Sequence, residues 1–348
     1  MNPIITALLS YGMSGRIFHA PFIHSHKGFQ LAGAWERSKK LIGDDYPGTA
    51  SYPSIESVLQ DKSIELVVIN TPTYTHYDYA RQALGANKHV IVEKAFTTTM
   101  KEAVELKTLA EKNGLVLSVF QNRRWDSDFQ TVVKVVREGL LGDIVEASFG
   151  YDRYNPSLSP RAHKETAGPG VGVVYDLGPH LIDQALVLFG KPSAVYADIM
   201  ITRENSQVED YFEILLMYDN FRVRLHAGYF VREPVPSYVV HGKLGSFLKP
   251  RADVQEDLLQ KGMKPNEKEY GVEPDEGHGL LHTLADGVVV REKVVSQPGN
   301  YLAYYDGIYG SIREGAAVPV SADDGLRTIQ IIEAAYKSKE RGSNVEIP

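Results

Sequence analysis

Over the first third of the chain, short unbroken apolar runs alternate with stretches of helical periodicity. The runs cover residues 4–9, 30–35, 66–70, 89–92 and 115–120, are rich in Val, Ile and Leu, and lack polar alternation. Such runs suit strands covered on both faces, as in a parallel sheet. Between them, residues 79–86 and 101–112 carry apolar side chains at helical spacing, and Thr99 with Glu102 forms a capping box ahead of the second. The pattern predicts an α/β fold with an N-terminal Rossmann, doubly wound parallel sheet over residues 1–122.

After Asn122 the texture changes. A helix is expected over residues 127–138, with Ser127 and Gln130 as a second capping box and Gly139 as the stop. The later runs, 145–151, 195–202, 211–217 and 221–230, are longer and alternate, with Asp219-Asn220 as a hairpin turn. Helical patterns follow over 301–313 and 323–341, and residues 155–174, rich in Pro, Gly and charge, read as one long loop. Residues 123–348 are expected to form a C-terminal α+β domain with a large open, mainly antiparallel sheet.

Composition narrows the function. The 348 residues suffice for two cores, and 43% hydrophobic with 23% charged residues is ordinary for a globular protein. A net charge of −7 offers no basic field for a nucleic acid, and the absence of cysteine removes thiolate nucleophiles and Cys-type zinc sites. No metal is expected. The N-terminus lacks the basic region of a signal peptide, and no apolar run approaches the ~20 residues of a membrane span. A soluble, cytoplasmic protein acting on a small molecule is the expectation.

Candidate chemistry lies at the strand ends. Ser10-Tyr11-Gly12-Met13-Ser14-Gly15 is one glycine short of the dinucleotide turn G-x-G-x-x-G, with Ser10 in the first position. About twenty residues on, Glu36 could bind a ribose 2′-hydroxyl, whereas Arg37 and Ser38 suit a 2′-phosphate, so local chemistry leaves NAD(H) and NADP(H) both open. Thr71 and Pro72 end the run that begins at residue 66, where ligands of open sheets bind; His76 follows, and packing at a helix start competes with a role in the site. Glu93-Lys94 closes the run 89–92, and Lys94 is either a group that holds a substrate hydroxyl or an ordinary surface lysine. Asp176-Leu177-Gly178-Pro179-His180 opens a helical pattern with a carboxylate and an imidazole at i and i+4. An N-capping Asp beside an incidental His is the plainer alternative. A dinucleotide turn with a Lys/Asp/His set points to hydride transfer at a carbinol carbon.

With Asn122-Arg123-Arg124-Trp125-Asp126 and the stretch from Tyr301 through Tyr304-Tyr305 to Ser311-Ile312-Arg313-Glu314-Gly315, these motifs resemble the Gfo/Idh/MocA oxidoreductases over nearly the whole length. The 122–126 and C-terminal stretches are similar to the subgroup containing NADP-dependent scyllo-inositol dehydrogenase. The resemblance implies a catalytic set of Lys94, Asp176 and His180: His180 exchanging the hydroxyl proton, Asp176 orienting or polarising, Lys94 holding the reacting oxygen. It places the cofactor along Ser10, Gly12, Met13, Ser14, Gly15, Glu36, Arg37, Ser38, Thr71, Pro72, His76, Glu93 and Lys94, and favours NADP(H) over NAD(H). Arg124, Trp125, Tyr151, Arg153, Tyr154 and His163 become candidates for a polyol or sugar pocket, and a homodimer or a pair of dimers is expected. Two departures stand out: Ser10 replaces the family's first glycine, and Ala95 its usual proline after Glu-Lys. The competing functions are a dinucleotide-binding regulator without catalysis and a glycosidase working through transient oxidation.

Overall fold

The computed structural model describes residues 2–160 and 162–348, apart from the side chains of 162 and 163. The chain divides into two compact units. The first comprises residues 1–122, 255–270 and 300–326; the second comprises 123–254, 271–299 and 327–348.

The first unit holds a six-stranded, all-parallel sheet of β1 (Ile4–Leu8), β2 (Phe29–Trp35), β3 (Ala50–Tyr52), β4 (Leu66–Ile69), β5 (His89–Glu93) and β6 (Leu117–Phe120). Their spatial order is β3-β2-β1-β4-β5-β6, which reverses direction between β1 and β4. β4 is buried at every residue and β5 at its three central ones, because helices cover both faces of such a sheet. The expected Thr99–Glu102 capping box forms, ahead of helix Met100–Asn113.

Two segments that the sequence placed in the C-terminal domain complete this unit instead. Helix Leu302–Glu314 buries Tyr304, Tyr305 and Ile308, with Tyr301 just before it. Tyr305 stacks on Phe22 at 5.7 Å and Tyr304 packs edge-on against Phe120 at 4.9 Å. The Tyr304 hydroxyl donates to Ser118 Oγ at 2.8 Å, and Arg313 pairs with both oxygens of Glu65 at 2.8 and 2.9 Å. Helical spacing reveals that a face will be buried; it does not reveal against which partner.

The second unit is built on a nine-stranded, mostly antiparallel sheet of β7 (Ile144–Gly150), β8 (Ala194–Met200), β9 (Tyr211–Met217), β10 (Arg222–Gly228), β11 (Tyr238–Gly242), β12 (Gly245–Lys249), β13 (Gly279–Ala285), β14 (Val288–Val294) and β15 (Val345–Glu346). The order is β14-β13-β12-β11-β7-β10-β9-β8-β15, and among these pairings β7 with β10 is parallel. Phe149, Phe212, Leu216, Leu225, Tyr238 and Phe247 line the covered face, and helix Gly178–Phe189 contributes Phe189 to the same core. The other face alternates polar and apolar groups.

Three local expectations change. Helix Ser127–Arg137 has no box with Gln130: Asp253 accepts the Ser127 amide at 2.7 Å, and Gln130 instead donates to the Arg124 carbonyl. The 155–174 stretch contains helix Ala162–Glu165 and leads into helix Val173–Asp176. Asp176 therefore ends one short helix, and His180 lies in the first turn of the next, Gly178–Phe189, joined through Leu177.

Candidate active site

In the first unit, β1 ends at Leu8 and the chain bends through Ser10 into a π-helical turn, Gly15–His19. The Ser10 hydroxyl accepts the Gly12 amide at 3.3 Å, so the serine that replaces glycine closes the bend itself. A Cβ on Gly15 would lie 2.4 Å from the Ser10 carbonyl oxygen and 3.0 Å from Asn70 Nδ2. Only glycine lets the helix start press this closely on the strand end. A Cβ on Gly12 would meet nothing nearer than the Ser10 hydroxyl at 3.5 Å, which leaves that backbone open to approach. Asn70, just past β4, donates to the Ser10 carbonyl at 2.8 Å and ties the two loops together where the strand order reverses. Dinucleotides bind at such a switch point, and this cradle fits one.

Glu93 connects that turn to Lys94. Its Oε1 accepts the Ser14 hydroxyl at 2.5 Å and faces His19 Nε2 at 3.1 Å; its Oε2 accepts the Lys94 amide at 3.2 Å. His19 Nδ1 in turn meets the Tyr305 hydroxyl at 2.7 Å. Burial alone would push the Glu93 carboxyl up, but the His19 ring, the Ser14 hydroxyl and the Lys94 charge outweigh it and hold the group below its usual range. Glu93 is thus a brace between the glycine turn and the end of β5. The Lys94–Ala95 peptide is cis.

His76 is fully buried, its ring nitrogens facing the Thr71 and Ala95 carbonyls at 2.8 Å each. Burial lowers its pKa against the pull of those carbonyls. It ties the loops after β4 and β5 together. Thr71 is half-buried and Pro72 exposed. Glu36 is also redirected: its carboxylate accepts the Leu41 and Ile42 amides at 2.8 and 3.4 Å and is buried, whereas Arg37 and Ser38 are exposed. Met13, 47% exposed, stands clear of the core.

In the second unit His180 is buried, while Asp176 is half-buried with Lys164 Nζ at 3.7 Å. Arg124, expected to face substrate, makes a two-pronged pair with buried Asp183 at 2.8 and 2.6 Å, so its guanidinium is already engaged. Trp125 is half-buried. Tyr151 gathers three guanidiniums over its ring, Arg251 at 3.9 Å, Arg153 at 4.8 Å and Arg123 at 5.3 Å. Burial raises the Tyr151 phenol, but Arg123, Arg251 and Arg153 outweigh it and hold it below the ordinary tyrosine range. Tyr154 is exposed and carries Arg232 over its ring at 3.9 Å. His163 falls on helix Ala162–Glu165, and its side chain lies outside the described residues. Among the described residues, no three His, Asp or Glu side chains form a metal-binding group. His278 and His282 have the i, i+4 spacing of a helical metal pair, but His282 lies on extended β13, where four residues span about 13 Å.

Residues 6–121 match the oxidoreductase family's NAD-binding Rossmann fold, and residues 133–347 match its C-terminal alpha/beta domain. The chain belongs to the Gfo/Idh/MocA oxidoreductase family. As a member, it is an NAD(P)-dependent oxidoreductase. It is 40% identical to scyllo-inositol 2-dehydrogenase (NADP(+)) of Bacillus subtilis, over 98% of this chain and 95% of that one. Two solved oxidoreductase structures are similar throughout. One from Bacillus subtilis has a TM-score of 0.96 at 39% identity, covering 100% of this chain and 99% of that one. One from Yersinia pestis has a TM-score of 0.94 at 38% identity, covering 100% and 98%. Among the described residues of this Gfo/Idh/MocA protein, no helix is long and apolar enough to cross a membrane.

Several members of the candidate site escaped the sequence reading. Asn70, His19 and Tyr305 support the glycine turn, and Arg251 completes the cluster on Tyr151 from 100 residues away. Arg251 had no local signal, because its partners come only with the register of the second sheet.

Proposed function

We propose that this oxidoreductase interconverts a secondary alcohol and a ketone on a cyclic polyol or sugar, using NADP(H). The observation that carries this reading is Glu93, which fastens Ser14 of the phosphate turn and the Lys94 amide to one carboxylate and so sets a lysine at the cofactor edge. Bound NADP(H) supplies the hydride chemistry. Ser10, Gly12, Met13, Ser14 and Gly15 hold its phosphates, with Thr71 and Pro72 beside them. Lys94 holds the reacting oxygen, His180 exchanges its proton and Asp176 orients the imidazole. The relationship to a scyllo-inositol dehydrogenase supports a polyol. The test is cofactor reduction across a panel of inositols, aldoses and sugar acids, with product analysis to detect glycosidic cleavage. Tight NADPH binding with no turnover on any of them would favour a regulator.

The preference for NADP(H) rests on Glu36. Its carboxylate is turned onto its own loop, which leaves Arg37 and Ser38 exposed to meet a 2′-phosphate. Arg37→Ala is expected to raise the Kd for NADPH roughly 10- to 150-fold, the range for hydrogen bonds to a charged group, with NADH nearly unchanged. Equal losses for both cofactors, measured by titration calorimetry, would remove Arg37 from that role.

The open face of the second sheet supports a homodimer. Tyr196, Met200, Leu284 and Val289 are 40–66% exposed there among polar neighbours, and edge and face surfaces of this kind favour association. Light scattering at micromolar concentration should give twice the 38.7 kDa of one chain, or four times for paired dimers. A strictly monomeric mass would rule this out.

A further inference from the structure

The segment leading to Asp176 and His180 is held by two adjacent carboxylates on the approach to β9. Asp210 accepts Arg203 Nε at 2.7 Å, and Arg203 reaches back to Glu165 at 3.0 Å and to the Ser157 carbonyl at 3.2 Å. That clamp fixes the early part of the 155–174 stretch. Glu209 fixes its end. The Glu209 backbone carbonyl accepts the Val173 amide at 3.0 Å, and its carboxylate accepts the Tyr336 hydroxyl. Gly172 has φ +101°, and a Cβ there would lie 2.1 Å from Glu209 Oε1, so the carboxylate is packed directly on the glycine. The Tyr336 ring stacks on Tyr175 at 6.1 Å. From this start the Asp176 amide bonds the Gly172 carbonyl at 3.0 Å and the Leu177 amide bonds that of Val173 at 2.8 Å.

We infer that Glu209 is a positioning residue: packed on Gly172 and bonded to Tyr336, it sets the first turn of Val173–Asp176 and thereby the placement of Asp176 and His180. The inference rests on the roles proposed above for those two residues. Burial pushes the Glu209 carboxyl above its ordinary range, against the Tyr336 hydroxyl, the Lys339 charge and the Val174 amide. A nonpolar side chain would fill this space without that desolvation, but it would leave the Tyr336 hydroxyl without its acceptor.

The test compares full-length Glu209→Ala, Glu209→Gln and Gly172→Ala with the wild type. It reads kcat and KM with scyllo-inositol and NADP+, the Kd for NADPH, and amide hydrogen exchange across residues 173–177. Glu209→Ala and Gly172→Ala are expected to lower kcat about 10- to 100-fold, as for a displaced reacting group, with the NADPH Kd unchanged. Their 173–177 amides should exchange faster than in the wild type. Glu209→Gln keeps an acceptor of the same shape and should return kcat to within about threefold of wild type. The inference is overturned by unchanged kcat in folded Glu209→Ala, by a Gln variant as impaired as the Ala variant, or by unaltered protection of 173–177. If Gly172→Ala does not fold, the Ala and Gln variants at 209 decide. If the wild type turns over no substrate, the proposed function fails, and the exchange data alone decide the positioning.

Discussion

His180→Ala is expected to lower kcat by about 10²–10⁴-fold while the Kd for NADPH stays within about twofold. His180 sits in the first turn of Gly178–Phe189, behind Pro179, and is 6% exposed. Every group assigned to hold the dinucleotide belongs to the first unit, whereas His180 belongs to the second, so its loss should fall on turnover. Lys94→Ala should also depress kcat, and adding it to the His180 variant should cost less than in the wild type, because residues acting as one unit are not additive. Steady-state rates with scyllo-inositol provide the measurement. Undiminished turnover without the imidazole would remove His180 from proton transfer.

Lys249→Met should destabilise the second unit by about 3–5 kcal/mol, the usual consequence of stranding one charge of a buried pair. Lys249 and Glu273 are completely buried and 2.7 Å apart. Lys249 also donates to the Gly277 carbonyl at 2.7 Å, and Glu273 accepts the Ser127 and Ser296 hydroxyls at 2.5 and 2.6 Å. The network joins the start of helix Ser127–Arg137 to the end of β12. Replacing both charges, as Lys249→Met with Glu273→Leu, should recover part of the loss, since no buried charge is then left unpaired, while the Gly277 carbonyl and the Ser127 and Ser296 hydroxyls lose their partners. The readout is the denaturant midpoint at constant slope. A shift equivalent to under about 1 kcal/mol in the single variant would mean that water or another cation compensates Glu273.

Much of the first sheet was legible because its strands announce themselves one at a time. β4 and β5 are continuous apolar runs, and Thr99–Glu102 closes within four residues, so both are local facts. The Ser127 start was misread for the opposite reason: the acceptor of its amide is Asp253, 126 residues away. Glu36 deceived on a smaller scale, because the spacing from the glycine turn was sound but the side chain folds onto amides five and six residues ahead. β11 to β14 carried too weak an alternation to recognise. β14 lies at the sheet edge and is exposed on both faces over much of its length, so no periodic burial marks it. The substrate-side candidates suffered most. Arg124 looked available in sequence and is paired with Asp183, while Arg251 had no visible partner until β7 and β11 were in register.

The interleaving of the two units governs how the protein can be made. The chain passes between them after residues 122, 254, 270, 299 and 326, so the nucleotide-binding half is completed only by residues 255–270 and 300–326, made long after its sheet. Phe22 and Phe120 wait for Tyr304 and Tyr305 to leave the ribosome before their faces are covered. The usual order, in which an N-terminal domain is finished before the next begins, does not apply to this chain. A chain that stops before residue 300 leaves uncovered the aromatic surface that Tyr304 and Tyr305 pack against. For the same reason the first 122 residues cannot be lifted out as a portable cofactor module, even though their sheet is continuous in sequence.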